Sequence, residues 1–228
     1  MRCLVIGGGS DIGSAIVREL HAREHEVLWT YFSTERDQPG KGIRCDLTDL
    51  LQVRELFDSI GGDIRLMVTA AFPFLECGNL DFDGYDKAEA FLRGHVYATT
   101  RFGNAWRMRE GKIINLLGQC VERGLPGGAF YSAAFAFLHN YGNSINAREA
   151  KAHRGDAIDR AKNLAVCDLL LGPVDTREWS GLSKEVVGRY EAKVSRFIAP
   201  EQVARTVAFL SEQDVMPSTF KLDAYYGY

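Results

Sequence analysis

The chain opens on a short apolar run, Cys3-Leu4-Val5-Ile6, that passes at once into Gly7-Gly8-Gly9-Ser10-Asp11-Ile12-Gly13. An aliphatic strand that hands over to glycines and then to a helical pattern has few ways to fold. Glycines at 7, 9 and 13 serve a tight turn, close backbone approach to an anion and close helix–sheet packing, while the helix that follows offers N–H groups and its positive dipole end. Glycine spacing by itself is a weak signal; strand, turn and helix in this order point to a seat for the diphosphate of a dinucleotide.

The rest of the chain repeats the alternation. Strand-like runs fall at Arg2 to Ile6, Glu26 to Tyr31, Gly42 to Cys45, Leu66 to Thr69, Lys112 to Leu117, Asn163 to Leu170 and Thr219 to Asp223. Amphipathic stretches lie at Ile12 to Arg23, Leu50 to Ile60, Ala88 to Arg109, Tyr131 to Lys151, Lys184 to Val194 and Pro200 to Glu212. This predicts an α/β, doubly wound, mainly parallel sheet of about seven strands with helices on both faces and right-handed crossovers, the Rossmann fold. No linker or repeat divides residues 1–228, so a single dinucleotide-binding domain is expected. Gly155 to Lys162 is polar. Asp175 to Phe197, which carries Trp179, Tyr190 and Phe197, reads as a lid.

Composition narrows the partners. With 46% hydrophobic and 25% charged residues the chain is ordinary globular material, and a formal charge of -3 argues against a nucleic-acid partner. No window approaches the roughly 20 apolar residues of a membrane span. Cys3, Cys45, Cys77, Cys120 and Cys167 are scattered without a CxxC, as reduced thiols of a cytoplasmic protein would be. His21 and His25 stand four apart at a helix end and read as solvated side chains, so no metal is expected.

Taken in order, further landmarks resemble the short-chain dehydrogenase/reductase family. Cys45-Asp46-Leu47-Thr48-Asp49 is similar to that family's Asp-x-Thr-Asp segment, Val68-Thr69-Ala70-Ala71 to its Asn-Asn-Ala-Gly, and Lys112-Ile113-Ile114-Asn115 to the strand that enters its active site. Tyr131-Ser132-Ala133-Ala134 resembles its Tyr-Ser-Ala-Ser, and Leu171-Gly172-Pro173-Val174-Asp175-Thr176 its Pro-Gly-x-Val-x-Thr. The resemblance runs from Leu4 to about Asp223. It implies a nicotinamide cofactor held by Gly7, Gly9, Ser10, Asp11, Ile12, Gly13, Asp46, Leu47, Thr69, Ala70, Gly172, Val174 and Thr176, with Asp46 against the adenine.

Which nicotinamide cofactor follows from the end of the second strand. An acidic residue there would bond the ribose hydroxyls of NAD. The segment reads Trp29-Thr30-Tyr31-Phe32-Ser33-Thr34-Glu35-Arg36, with hydroxyls at Thr30 and Ser33 and a guanidinium at Arg36 that can pair with a 2′-phosphate. NADP(H) is favoured; Glu35 keeps NAD as the alternative.

The catalytic positions depart from the family. Tyr131 matches its tyrosine, but Phe135 stands where the lysine four residues later would lower the phenol's pKa, Gly118 where the serine would bond the substrate oxygen, and His95 where the helix asparagine would be. His139 lies eight residues past Tyr131, about 12 Å along a helix, too far to replace the lysine. A phenol with an ordinary pKa near 10 stays protonated at neutral pH, so Tyr131 suits proton donation in a reduction. The expectation is an NADP(H)-dependent reductase of a carbonyl or imine in a small molecule, with Tyr131 and His95 as catalytic candidates. The alternative is a degenerate dinucleotide-binding protein acting as a sensor or partner subunit. His95-Val96 and Gln119 to Gly124 also resemble the pteridine and dihydromonapterin reductase branch, with Phe72 or Phe74 at its stacking aromatic, although Gly118 is not that branch's aspartate. Resemblance further implies a homodimer or homotetramer paired through Ala88 to Arg109 and Tyr131 to Lys151.

Overall fold

The computed structural model describes residues 1–33, 35–61, 63–72, 82–105, 110–125, 128–152, 164–181, 184–192, 194 and 196–223. Seven strands, β1 (Arg2–Ile6), β2 (Glu26–Tyr31), β3 (Lys41–Arg44), β4 (Leu66–Thr69), β5 (Gly111–Gly118), β6 (Leu164–Leu171) and β7 (Thr219–Leu222), form one sheet in the order β3-β2-β1-β4-β5-β6-β7. Every pairing is parallel. This is the doubly wound Rossmann arrangement expected from the alternation of patterns.

The central strands are apolar on both sides because helices cover both faces. On one face Cys3, Val5, Trp29, Val68, Ile114 and Leu169 meet α1 (Asp11–Ala22) and α7 (Pro200–Glu212). On the other, Leu4, Ile6, Leu28, Met67, Ile113 and Val166 meet α2 (Leu50–Ile60) and α3 (Phe82–Ala105). Each fully buried Leu, Ile or Phe side chain adds about 1.5 to 3 kcal/mol. Ser10 caps α1 by accepting from Gly13 N at 3.0 Å, and Asp49 caps α2 by accepting from Leu51 N at 2.9 Å.

Element ends differ from the sequence reading where apolar periodicity is silent. α3 starts at Phe82 rather than Ala88, since Tyr85, Asp86 and Lys87 in its first turns are exposed and carry no apolar stripe. α6 (Lys184–Glu191) stops short of Val194. Two elements too short for a period were missed, α4 (Cys120–Arg123) and a 3₁₀ turn at Arg177–Gly181; α5 (Ala129–Ala152) follows α4. The polar stretch Gly155 to Lys162 lies outside the described residues.

The excursion read as a lid is tied at its base. Val174 and Ile198 form a parallel bridge, Asp175 N donates to Ile198 O at 2.9 Å, and Trp179 stacks on Phe197 with centroids 4.8 Å apart. Strand order reverses between β1 and β4. In such sheets ligands lie in the crevice beyond the strands' carboxyl ends at that point.

Candidate functional site

The glycine turn is built by its backbone. Gly7 has φ +82°, and a Cβ on it would stand 2.7 Å from Ala71 Cβ and 2.8 Å from the Ala70 carbonyl. A Cβ on Gly13 would come within 2.1 Å of Gly7 O. Only glycine allows α1 to begin this close to the end of β1. Gly9 N donates to Thr30 O at 3.1 Å and Gly7 N to Thr30 Oγ1 at 2.9 Å. Thr30 is 3% exposed, so its hydroxyl supports the turn from beneath. Gln38, which the sequence did not flag, accepts from Ser14 Oγ at 2.5 Å and donates to Gly8 O at 3.1 Å. Asp11 and Ile12 are first-turn residues, whose N–H groups have no partner inside the helix. That is the donor set a diphosphate needs, so the residues fit a dinucleotide.

Charge gathers at the same point. Arg36 Nη2 lies 2.6 Å from Asp11 Oδ1, so the guanidinium expected for a 2′-phosphate rests on the first residue of α1. Arg177 binds the same carboxylate, with Nε 3.0 Å and Nη2 2.8 Å from Oδ1 and its backbone N 2.9 Å from Oδ2. Ser33 is exposed beside this cluster in sequence, and Ser10 is exposed at the cap.

Other expected cofactor residues line the carboxyl ends with different degrees of access. Asp46 Oδ1 accepts from Thr48 N at 2.9 Å and Thr48 Oγ1 at 2.7 Å, which fixes the carboxylate, while Leu47 is buried next to it. Ala70 N donates to Ile6 O at 2.8 Å. Gly172 N donates to Leu222 O at 3.0 Å, Val174 O accepts from Trp179 Nε1 at 2.5 Å, and Thr176 O accepts from Trp179 N at 3.2 Å. Thr69 is 1% exposed and donates to Asn115 Oδ1 at 3.0 Å. Asn115 Nδ2 donates to Asp168 Oδ1 at 2.8 Å, and Asp168 Oδ2 meets His139 Nδ1 at 2.8 Å. Burial pushes the Asp168 carboxyl above its ordinary range despite the bonds from Asn115 and His139. The single acid in Leu-Ala-Val-Cys-Asp-Leu-Leu-Leu was the signal for this buried row, and the sequence reading passed over it.

The catalytic positions come together, as aromatic packing. Phe72 sits at the centre, with centroid distances of 4.7 Å to Phe135, 5.5 Å to Tyr131, 5.7 Å to Phe91 and 5.8 Å to His95. Tyr131 and Phe135 lie 4.4 Å apart. Phe74 falls outside the described residues. His95 is 4% exposed, its Nε2 is 2.9 Å from Ala71 O, and burial holds its pKa down at about 4. The imidazole is therefore neutral at pH 7 and donates from Nε2 to the carbonyl. That geometry gives His95 the task of fixing Ala71. Gly118 has little room, since a Cβ there would be 3.2 Å from both Cys120 Sγ and Phe135 Cε2. Burial raises the Cys120 thiol to about 11, so it stays protonated.

Cys3, Cys45, Cys120 and Cys167 are free thiols. Among the described residues no helix is long and apolar enough to cross a membrane, and no three His, Cys, Asp or Glu side chains gather as a metal would need.

The strand order and the helices on both faces define the doubly wound Rossmann architecture. No protein-family model matches the chain. L-xylulose reductase from Bos taurus is 26% identical across 92% of this chain and 88% of its own length. Acetoacetyl-CoA reductase from Synechocystis sp. is 28% identical across 91% of this chain and 86% of its own. Among solved structures, BdcA in complex with NADPH superposes with a TM-score of 0.81 at 19% identity, covering 99% of this chain and 94% of that one. These relatives and structural neighbours point to the short-chain dehydrogenase/reductase family, at low identity, in agreement with the resemblance in the sequence. The relatives are reductases and a dehydrogenase by name, which supports a nicotinamide-dependent oxidoreductase in general.

Proposed function

We propose that the protein is an NADP(H)-dependent reductase of a carbonyl or imine in a small molecule, with Tyr131 as the proton donor. The observation that carries this reading is the glycine turn at the strand-order reversal, with Arg36 beside it and Tyr131 at the carboxyl end of the same sheet. When bound, the nicotinamide supplies the hydride. The Gly7 to Gly13 turn would seat the diphosphate against the first-turn N–H groups of Asp11 and Ile12, Asp46 would meet the adenine, and Arg36 would exchange Asp11 for the 2′-phosphate. Tyr131 gives its phenolic proton to the oxygen or nitrogen that gains the electron pair. His95 keeps the Ala71 carbonyl in place and stays neutral. Substrate enters under the 175–197 segment, whose base is pinned at Val174 and Ile198.

The aromatic cluster favours a second reading. Phe72 and Phe135 occupy the space around Tyr131 where the family keeps polar groups, which fits a protein that holds the dinucleotide without turning it over. We also place self-association on α3 and α5, where Tyr85 is 45% and Phe137 50% exposed.

Fluorescence titration with NADPH and NADH, beside NADPH oxidation with ketones, quinones and dihydropterins, separates these readings. The reductase predicts tighter NADPH than NADH, a preference lost in Arg36→Ala, and turnover of at least one substrate. Binding without turnover across the panel selects the sensor; no binding of either dinucleotide rejects both.

A further inference from the structure

Arg177 begins the 3₁₀ turn that follows β6, while Asp11 begins α1 directly after β1. The order β1-β4-β5-β6 puts three strand spacings between them, roughly 14 Å at the sheet. Arg177 N lies 2.9 Å from Asp11 Oδ2, so it is the segment from Leu171 to Arg177 that covers this distance from β6 to α1 and brings Arg177 to the strand-order reversal. The pair lies at the surface and is multidentate. The guanidinium reaches both carboxylate oxygens, at 3.0 and 3.2 Å from Nε and 2.8 Å from Nη2, and the Arg177 backbone N adds a bond of 2.9 Å. Arg36 reaches the same carboxylate from the loop after β2 at 2.6 Å.

Among the described residues Arg36 and Arg177 share this one carboxylate, two guanidiniums to a single acid. It stands at a helix start, where the dipole is positive as well. Such a cluster is suited to a further anion, and Asp11 occupies the position from which an external phosphate would take the same donors. Arg177 itself is 76% exposed along its side chain, so moving it between partners disturbs no core packing. A planar guanidinium suits a diphosphate oxygen pair as well as a carboxylate.

We propose that Arg177 is a diphosphate-binding residue of the cofactor site, held at the start of α1 by Asp11 until the dinucleotide's diphosphate takes the carboxylate's place. This rests on the dinucleotide reading above. Arg36 answers to the 2′-phosphate, which only NADPH carries, whereas Arg177 answers to the diphosphate common to NADPH and NADH. Exchange of Arg177 also frees the start of the 175–197 segment from α1, so cofactor entry and the position of that segment are linked.

Titration of the whole chain with NADPH and with NADH, at several salt concentrations, tests the assignment. Arg177→Ala should weaken both dinucleotides about tenfold and by the same factor, the effect of losing one charge-assisted contact. It should also flatten the dependence of log Kd on log salt and leave the thermal midpoint near that of the wild type. Asp11→Asn removes the competitor and should tighten both dinucleotides several-fold. Unchanged affinity for both in Arg177→Ala overturns the proposal while the dinucleotide reading stands. Weaker binding in Asp11→Asn overturns the exchange, because the carboxylate would then be organising the arginines for the cofactor. If the wild type binds neither NADPH nor NADH, the underlying reading fails and takes the proposal with it.

Discussion

The two halves of the crevice are made of different material. Around β1, β2 and the start of α1 the site is backbone: glycines that admit no Cβ, N–H groups at a helix start, and a buried Thr30 that props the turn. Around the end of β5 and the start of α5 it is side chain, and there Phe135 and a neutral His95 gather on Phe72 beside a tightly enclosed Gly118. The contrast shows how separately a backbone turn and a side-chain cluster can vary on one sheet. Backbone geometry can be lost only by remaking the fold, whereas a catalytic side chain can be exchanged for a packing one within an intact core.

Gly13→Ala is the strongest test of the backbone half. Its Cβ would meet Gly7 O at 2.1 Å and Gly8 Cα at 2.8 Å, and neither atom can retreat without moving β1 or α1. A loss of about 4 kcal/mol in urea unfolding is expected, with NADPH binding abolished. A variant that folds and binds normally would show that the turn is held by something other than this close approach.

Tyr131→Phe tests the side-chain half. If the phenol is the acid, turnover should fall 100-fold or more while NADPH affinity is unchanged. Turnover that survives would assign the proton to water and make Tyr131 one more member of the aromatic cluster. Placing a lysine at 135 or a serine at 118 meets resistance, because Phe135 is 2% exposed and a side chain at 118 presses on Cys120 and Phe135. A lysine at 135 would arrive in an apolar setting with its charge unpaired.

The same division explains what could be read from the sequence. Strand-helix alternation and the spacing of Gly7, Gly9 and Gly13 are periodic or contiguous signals, and they predict the parallel seven-stranded sheet with helices on both faces, while the strand order is seen only in the structure. Tyr131, Phe135, Gly118 and His95 were found through resemblance, and the structure brings their elements together. Hidden from the sequence were the contacts between distant residues. Arg36 was assigned to a phosphate without its Asp11 partner, Arg177 was passed over, and the Thr69–Asn115–Asp168–His139 row needs strand register to be seen at all. Thr30 is a cofactor-contact candidate by position along the strand, which says nothing of the bond its buried hydroxyl accepts from Gly7 N.

His95 lies where the halves meet, and its titration decides to which it belongs. Its folded pKa of about 4 lies below the ordinary 6.5, because burial disfavours the cation. The unfolded chain therefore takes up the proton first as pH falls. The stability His95 contributes is complete above 6.5 and drains away toward about 4, by at most about 3 kcal/mol. His95→Asn keeps a donor for the Ala71 carbonyl and does not titrate. Urea midpoints measured from about pH 7 to about pH 4 should fall more steeply for the wild type than for this variant, and the two curves should diverge below 6.5. Parallel curves would mean that the imidazole ionises as readily in the folded protein as in the unfolded chain, and would return His95, which shares Phe72 as a neighbour with Tyr131, to the groups able to carry a proton.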